Sequence, residues 1–269
     1  MTKRLFPAVM IGFVAAMFVS CGDGSGALSG TGVAGSTSRF AVVGDYLYVL
    51  NEYRQQSSSG LSSWAVHTLD TFSLEERSNP FKVDRLEMDS IVAETLHAVG
   101  ENLFVGTTSG MQIISLAVPE KPETLSFTGH FTSRDPVVVV GSTAYVTLRT
   151  SETSSSGAFS RGANQLQILD VSDLENPQQL SAFEMTAPWG LGVRHDRAYV
   201  CDGSAGLRVL NVSDPQEIPV VASVSTDICF DVLVTDDLLV STGAGGVNQY
   251  YIESGSVEPV LLSTITIQP

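Results

Sequence analysis

Three cysteines and four histidines are the residues of this chain best suited to bond making. The cysteines are Cys21, Cys201 and Cys229. A thiolate can accept an acyl chain, bind a metal, attack a carbonyl or pair with a second cysteine. The histidines are His67, His97, His130 and His195. None shares the close spacing of a zinc or iron site with a third ligand nearby, so no metal is expected. Serine is abundant, yet G-x-S-x-G does not occur as a strand-to-helix elbow, and no nucleophile–histidine–carboxylate set stands out. No catalytic residue and no cofactor are therefore assigned. Charged and aromatic side chains on loops remain, and these suit binding rather than catalysis.

Cys21 has a context of its own. Lys3 and Arg4 precede an apolar run from Leu5 to Val19, the pattern of a secretory signal over residues 1–20. The run is short for a membrane span. Its end, "FVSC", is similar to a bacterial lipobox, although Phe18 stands where leucine is usual. The resemblance implies that Cys21 becomes a lipidated mature N-terminus, carrying acyl chains such as palmitate. Plain secretion and a retained anchor helix are the alternatives. Residues 21–38 are rich in Gly and Ser and carry too little apolar surface to order themselves, as expected of a tether. The implied address is the bacterial cell envelope, at the outer membrane or cell surface, held by lipid.

Cys201 and Cys229 form an even pair in such an oxidising compartment. A disulfide between them is one expectation; two buried thiols acting as small apolar residues are the other. The net charge of −15 makes nucleic acid an unsuitable partner, because an acidic surface repels phosphate backbones.

The elements that position these residues follow from a repeat. "LQILDVSDLENP" begins at Leu166 and "LRVLNVSDPQEIP" begins at Leu207. Around each lies an apolar strand, a turn, a second strand and a loop, then the quoted strand, a turn with proline and a last strand. The second strand carries Tyr48, Phe104, Tyr145, Tyr199 and Leu239 in five successive copies, spaced by 56, 41, 54 and 40 residues. The prolines are Pro80, Pro122, Pro177, Pro219 and Pro259. Ser-rich insertions between strands two and three, "NEYRQQSSSGLSS" and "RTSETSSSGAFSRGANQ", lengthen copies one and three. Five copies of four short strands predict an all-β fold: a five-bladed β-propeller of four-stranded antiparallel blades over residues 39–268. Closure of the ring is expected from side-chain packing of blade five on blade one.

At those two sentences the chain resembles the LVIVD-repeat proteins. The resemblance implies a β-propeller of a bacterial or archaeal surface or secreted protein, with no agreed activity. Asp173 and Asp214 of the repeat are expected to cap turns through hydrogen bonds to backbone N–H groups.

A propeller presents its 2–3 loops and inter-blade segments on one face. That places Glu94, Arg134, Asp135, Trp189, Asp227, Phe230 and Asp231 around one rim. Trp189 and Phe230 packing between blades is the structural alternative. The functional reading is a surface-tethered, non-enzymatic module that binds an envelope or extracellular protein or a glycan. A propeller hydrolase or lyase acting at the channel mouth, and a structural envelope protein, are the competing readings.

Overall fold

The structure is a computed structural model that describes residues 37–58, 62–88, 92–129, 136–149, 164–226 and 228–267. The described residues form five separate four-stranded antiparallel sheets, each meandering in chain order. Blade one is β1 (Phe40–Val43), β2 (Tyr46–Gln56), β3 (Ser63–Ser73) and β4 (Phe81–Met88). Blade two is β5 (Ala93–Val99), β6 (Asn102–Thr107), β7 (Gly110–Ser115) and β8 (Glu123–Gly129). Blade three is β9 (Val137–Val140), β10 (Thr143–Leu148), β11 (Gln165–Asp170) and β12 (Gln178–Glu184). Blade four is β13 (Leu191–Arg194), β14 (Arg197–Cys201), β15 (Leu207–Asn211) and β16 (Val220–Val224). Blade five is β17 (Cys229–Val234), β18 (Leu238–Gly243), β19 (Gly246–Tyr251) and β20 (Val260–Ile265). This is the predicted five-bladed propeller.

The repeat's small features each have a physical place. All five prolines directly precede the fourth strand, where a missing ladder N–H does no harm. Each blade also breaks register once between strands three and four: at Thr71/Phe72, Ile113/Ile114, Ile168/Leu169, Val209/Leu210 and Gln249/Tyr250. A bulge there increases the twist of the outer strand. The turn between those strands is held by side chains. Asp173 accepts the Glu175 N–H at 3.1 Å, and Asp214 accepts the Gln216 N–H at 2.8 Å. One turn earlier, Asp170 and Asn211 accept the Ser172 and Ser213 N–H groups. The duplicated D/N-V-S-D string is thus a pair of overlapping side-chain caps.

The blades meet through buried side chains. Alternate residues of an inner strand face the preceding and the following blade, which explains the continuous apolar runs. Leu103 and Val105 pack with Tyr48, Leu50 and Leu69 of blade one. Phe104, between them, packs with Val137, Val146 and Leu169 of blade three. Tyr145 and Ile168 meet Leu191, Val200 and Leu210 across the next seam. Tyr199 and Val209 meet Val232, Leu239 and Tyr250 across the fourth. All five marker residues are buried.

The fifth seam is built differently from the expectation. No buried apolar cluster joins blade five to blade one among the described residues. Phe40 and Val42, the two β1 residues on that side, are 57% and 42% exposed, and every position of β20 is exposed. A polar bond spans the seam instead: the Thr37 hydroxyl donates to Asp231 at 2.6 Å.

A second correction concerns the first insertion. Most of "NEYRQQSSSGLSS" is strand, not loop: β2 and β3 pair without a break out to Gln56 opposite Ser63. Side-chain contacts support this arm. Arg85 stacks on the Tyr53 ring at 5.2 Å, and the Tyr53 hydroxyl donates to Glu87. The insertion in copy three lies almost wholly outside the described residues.

Candidate functional site

The inter-blade segments converge at one mouth. Residues Thr37 and Arg39 lead into β1, Glu94 and Thr95 begin β5, Pro136 precedes β9, and Arg149 follows β10. With Trp189 and Gly190, just before β13, they enclose a cavity of about 250 Å3. Four blades thus contribute to one concavity, and blade five reaches it through Asp231.

Trp189 is the best-fixed side chain there. The Trp189 backbone N–H donates to the Cys201 carbonyl at 2.7 Å, and the Trp189 backbone carbonyl accepts the Thr147 hydroxyl at 2.7 Å. Next along, the Gly190 N–H donates to the Phe230 carbonyl at 2.9 Å. The indole then lies between two partners. The Arg149 guanidinium stacks over it at 3.4 Å from the ring centre, and Phe230 makes a T-shaped contact with it at 5.2 Å between ring centres. Stacked guanidinium and indole attract through the ring's negative face.

Asp202 supports the approach to Trp189. Its side chain is fully buried. One carboxylate oxygen accepts the Thr186 and Ala187 N–H groups, each at 2.8 Å, and the other pairs with Arg208 at 2.8 Å. This fixes the segment that delivers Pro188, Trp189 and Gly190. Gly190 must be glycine because a Cβ there would run into the Asp231 side chain.

Cys201 and Cys229 are bonded, with Cα atoms 5.0 Å apart. One ends β14 and the other begins β17, so the bond ties blades four and five on the mouth face. Cys201 also carries the carbonyl that holds Trp189.

Of the predicted rim residues, Glu94 and Trp189 line the mouth, Phe230 abuts Trp189, and Asp231 reaches Thr37. Packing between blades and facing the mouth are both true of Trp189. Arg134, Asp135 and Asp227 lie outside the described residues, as do His130 and Cys21. Sequence reasoning missed Thr37, Arg39, Arg149 and Asp202. Arg149 had a signal, since it is the first residue after a second strand and so must lie on the mouth face. Asp202 had none beyond its place in a glycine-rich loop.

The remaining histidines are spread out. His67 is buried in β3, His195 is exposed in the β13–β14 turn, and His97 Nε2 donates to the Val139 carbonyl of blade three at 3.4 Å. Burial pushes the His97 pKa down, with that hydrogen bond opposing the shift. Among the described residues no group of three His, Cys, Asp or Glu could hold a metal, and no helix is long and apolar enough to cross a membrane.

Five meandering four-stranded sheets around a common mouth define a β-propeller. The LVIVD repeat model matches residues 34–52 and 189–226, so over those segments the chain is similar to the LVIVD-repeat proteins. No curated protein matches the sequence. Solved structures do. A functionally unknown protein from Desulfotomaculum acetoxidans is similar at TM-score 0.63 and 12% identity, over 85% of this chain and 69% of that one. A candidate 6-phosphogluconolactonase from Bacteroides fragilis is similar at TM-score 0.59 and 9% identity, over 83% and 82%. A protein from Lactobacillus plantarum is similar at TM-score 0.60 and 12% identity, over 83% and 82%. At these identities the likeness is one of fold.

Proposed function

We propose that this propeller is a surface-tethered, non-enzymatic module that binds a protein or glycan at the mouth. The observation that carries this reading is the Arg149–Trp189–Phe230 stack, held by backbone hydrogen bonds at the edge of a cavity. A rigid aromatic flanked by a guanidinium offers a flat apolar face and a hydrogen-bonding fork, and gives up little conformational entropy on binding. Arg39 and Glu94 beside it supply charges of both signs for orientation.

Capture from solubilised envelope fractions and a glycan array, each with the full chain and with Trp189→Ala, tests the reading. One defined component retained by the parent and lost by the variant supports it. Identical capture by the two proteins sinks it. A turnover of array glycans abolished by the same substitution would transfer the mouth to the competing enzymatic reading.

The anchor is part of the proposal. Cys21→Ala releases the chain from membranes or blocks its processing. An unchanged membrane fraction at unchanged size refutes lipid attachment.

A further inference from the structure

On the face opposite the mouth, four blades turn from their first to their second strand in two residues. Blades one to three read Val43-Gly44-Asp45, Val99-Gly100-Glu101 and Val140-Gly141-Ser142. Their glycines sit at φ 58°, 57° and 61°. A two-residue hairpin turn needs positive φ at its first position, and glycine adopts it freely. Blade four departs from the pattern with Arg194-His195-Asp196-Arg197. His195 takes the glycine position at φ 52°, alone among the described non-glycine residues. A side-chain-bearing residue held there is uncommon, and such positions cluster at functional sites.

The departure coincides with a cavity of about 310 Å3 between this turn and the 3–4 turn of blade five. One wall is Arg194, Arg197 and Tyr199; the other is Glu253, Ser254 and Ser256. Arg197 is committed, with Nη1 at 2.7 Å from the Asp196 carboxylate and 3.1 Å from Asn211 Oδ1. Arg194 has no ion-pair partner among the described residues, and its Nε is buried without an acceptor. Tyr199, 2% exposed, also lines the cavity and brings a phenol hydroxyl to it. The equivalent hydroxyl in blade one, on Tyr48, donates to the Pro119 carbonyl. Burial raises the Tyr199 pKa, with Arg194 and Arg197 opposing, so the phenol is a neutral donor. Buried polar groups left unpaired are costly, and a ligand that pairs them removes the cost.

The geometry points to a binding site for a small carboxylate that bears hydroxyl groups, the chemistry of a sugar acid. A guanidinium matches a carboxylate with two parallel N–H bonds. Because Asp196 is occupied by Arg197, the charge of Arg194 faces the ligand. Glu253 on the far wall disfavours a polyanion and accepts ligand hydroxyls, while the serines offer further hydroxyl partners. The volume lies at the lower end of small-molecule pockets, the size class of a monosaccharide. This site shares no residue with the mouth, so either can fail alone.

Calorimetric titration of the full chain with glucuronate, glucose and inorganic phosphate tests the assignment. Saturable glucuronate binding is expected, with glucose and phosphate at least about tenfold weaker. Arg194→Val with His195→Gly restores the Val-Gly-Asp turn of blade one. This double variant is expected to lose about tenfold or more of the glucuronate affinity, with no fall in thermal midpoint because glycine suits the turn. Arg194→Lys keeps the charge but not the fork, and is expected to lose about tenfold as well. Absence of saturable glucuronate binding, tighter binding of phosphate, or parental affinity in either variant overturns the proposal.

Discussion

Thr37 and Asp231 are 194 residues apart in sequence, yet the hydroxyl of one lies 2.6 Å from the carboxylate of the other. Asp231 is also held by its own neighbours, accepting the Val232 N–H at 2.9 Å and packing against Gly190. The bond therefore joins the lead-in of the first blade to a fixed carboxylate of the last. Thr37→Val is expected to lower unfolding free energy by about 1 kcal/mol, since Thr37 is exposed and the bond competes with water. In a double-mutant cycle with Asp231→Ala, the two losses should sum to more than the double variant loses. Strict additivity in denaturant titrations would show that the pair does not couple.

The disulfide closes a loop with a sequence separation of 28 residues. By chain entropy, Cys201→Ser is expected to cost about 3–4 kcal/mol. Its effect should also reach Trp189, whose N–H is held by the Cys201 carbonyl. Non-reducing peptide mapping of the full chain checks the bond, and thermal melts of the variant check its contribution. An unchanged midpoint contradicts the assigned role.

Asp202→Ala removes three partners at once and leaves Arg208 without its carboxylate. Breaking a buried pair by deleting one member typically costs about 3–5 kcal/mol. The loss should be accompanied by altered tryptophan fluorescence, because the segment leading to Trp189 is freed. A destabilised variant with parental fluorescence would confine Asp202 to a structural role away from the mouth.

His97 makes the fold sensitive to mild acid. Burial depresses its folded pKa below the ordinary 6.5, so the unfolded chain binds the proton more readily. Stability from this group is complete above the unfolded value and is lost as pH falls through and below it. The thermal midpoint is therefore expected to drop between pH 7.5 and pH 5.5. His97→Gln, which keeps a donor for the Val139 carbonyl, should flatten that part of the profile. A profile unaltered by the substitution assigns the acid sensitivity to other groups.

The blade pattern was legible because its causes are local. Prolines before fourth strands, caps in the D/N-V-S-D turns and buried aromatics in second strands each follow from short-range chemistry. The Cys201–Cys229 pairing was legible once the blades were counted, because one residue ends a second strand and the other begins a first. The mouth was half legible. Trp189 and Glu94 stand at inter-blade positions that topology alone sends there, and Arg149 follows a second strand, whereas Thr37 and Arg39 precede the first blade and carry no such mark. The strand character of the first insertion was hidden by its serines and glutamines, which carry no alternating apolar signal. The bare fifth seam was hidden too. Phe40 and Val42 read as inner-strand residues, and only the position of blade five leaves them uncovered.

That bare seam sets how the ring comes apart. Parting a seam such as that of Tyr48 and Leu103 wets a buried cluster and carries a large heat-capacity and denaturant response. Among the described residues no buried apolar cluster spans blades five and one, and Phe40 and Val42 are already exposed, so parting that seam wets far less. Amide exchange there should proceed by openings that urea scarcely accelerates, while exchange at the other four seams should track global unfolding. The propeller thus behaves thermodynamically as a linear stack of five blades whose two ends touch, more than as a closed ring.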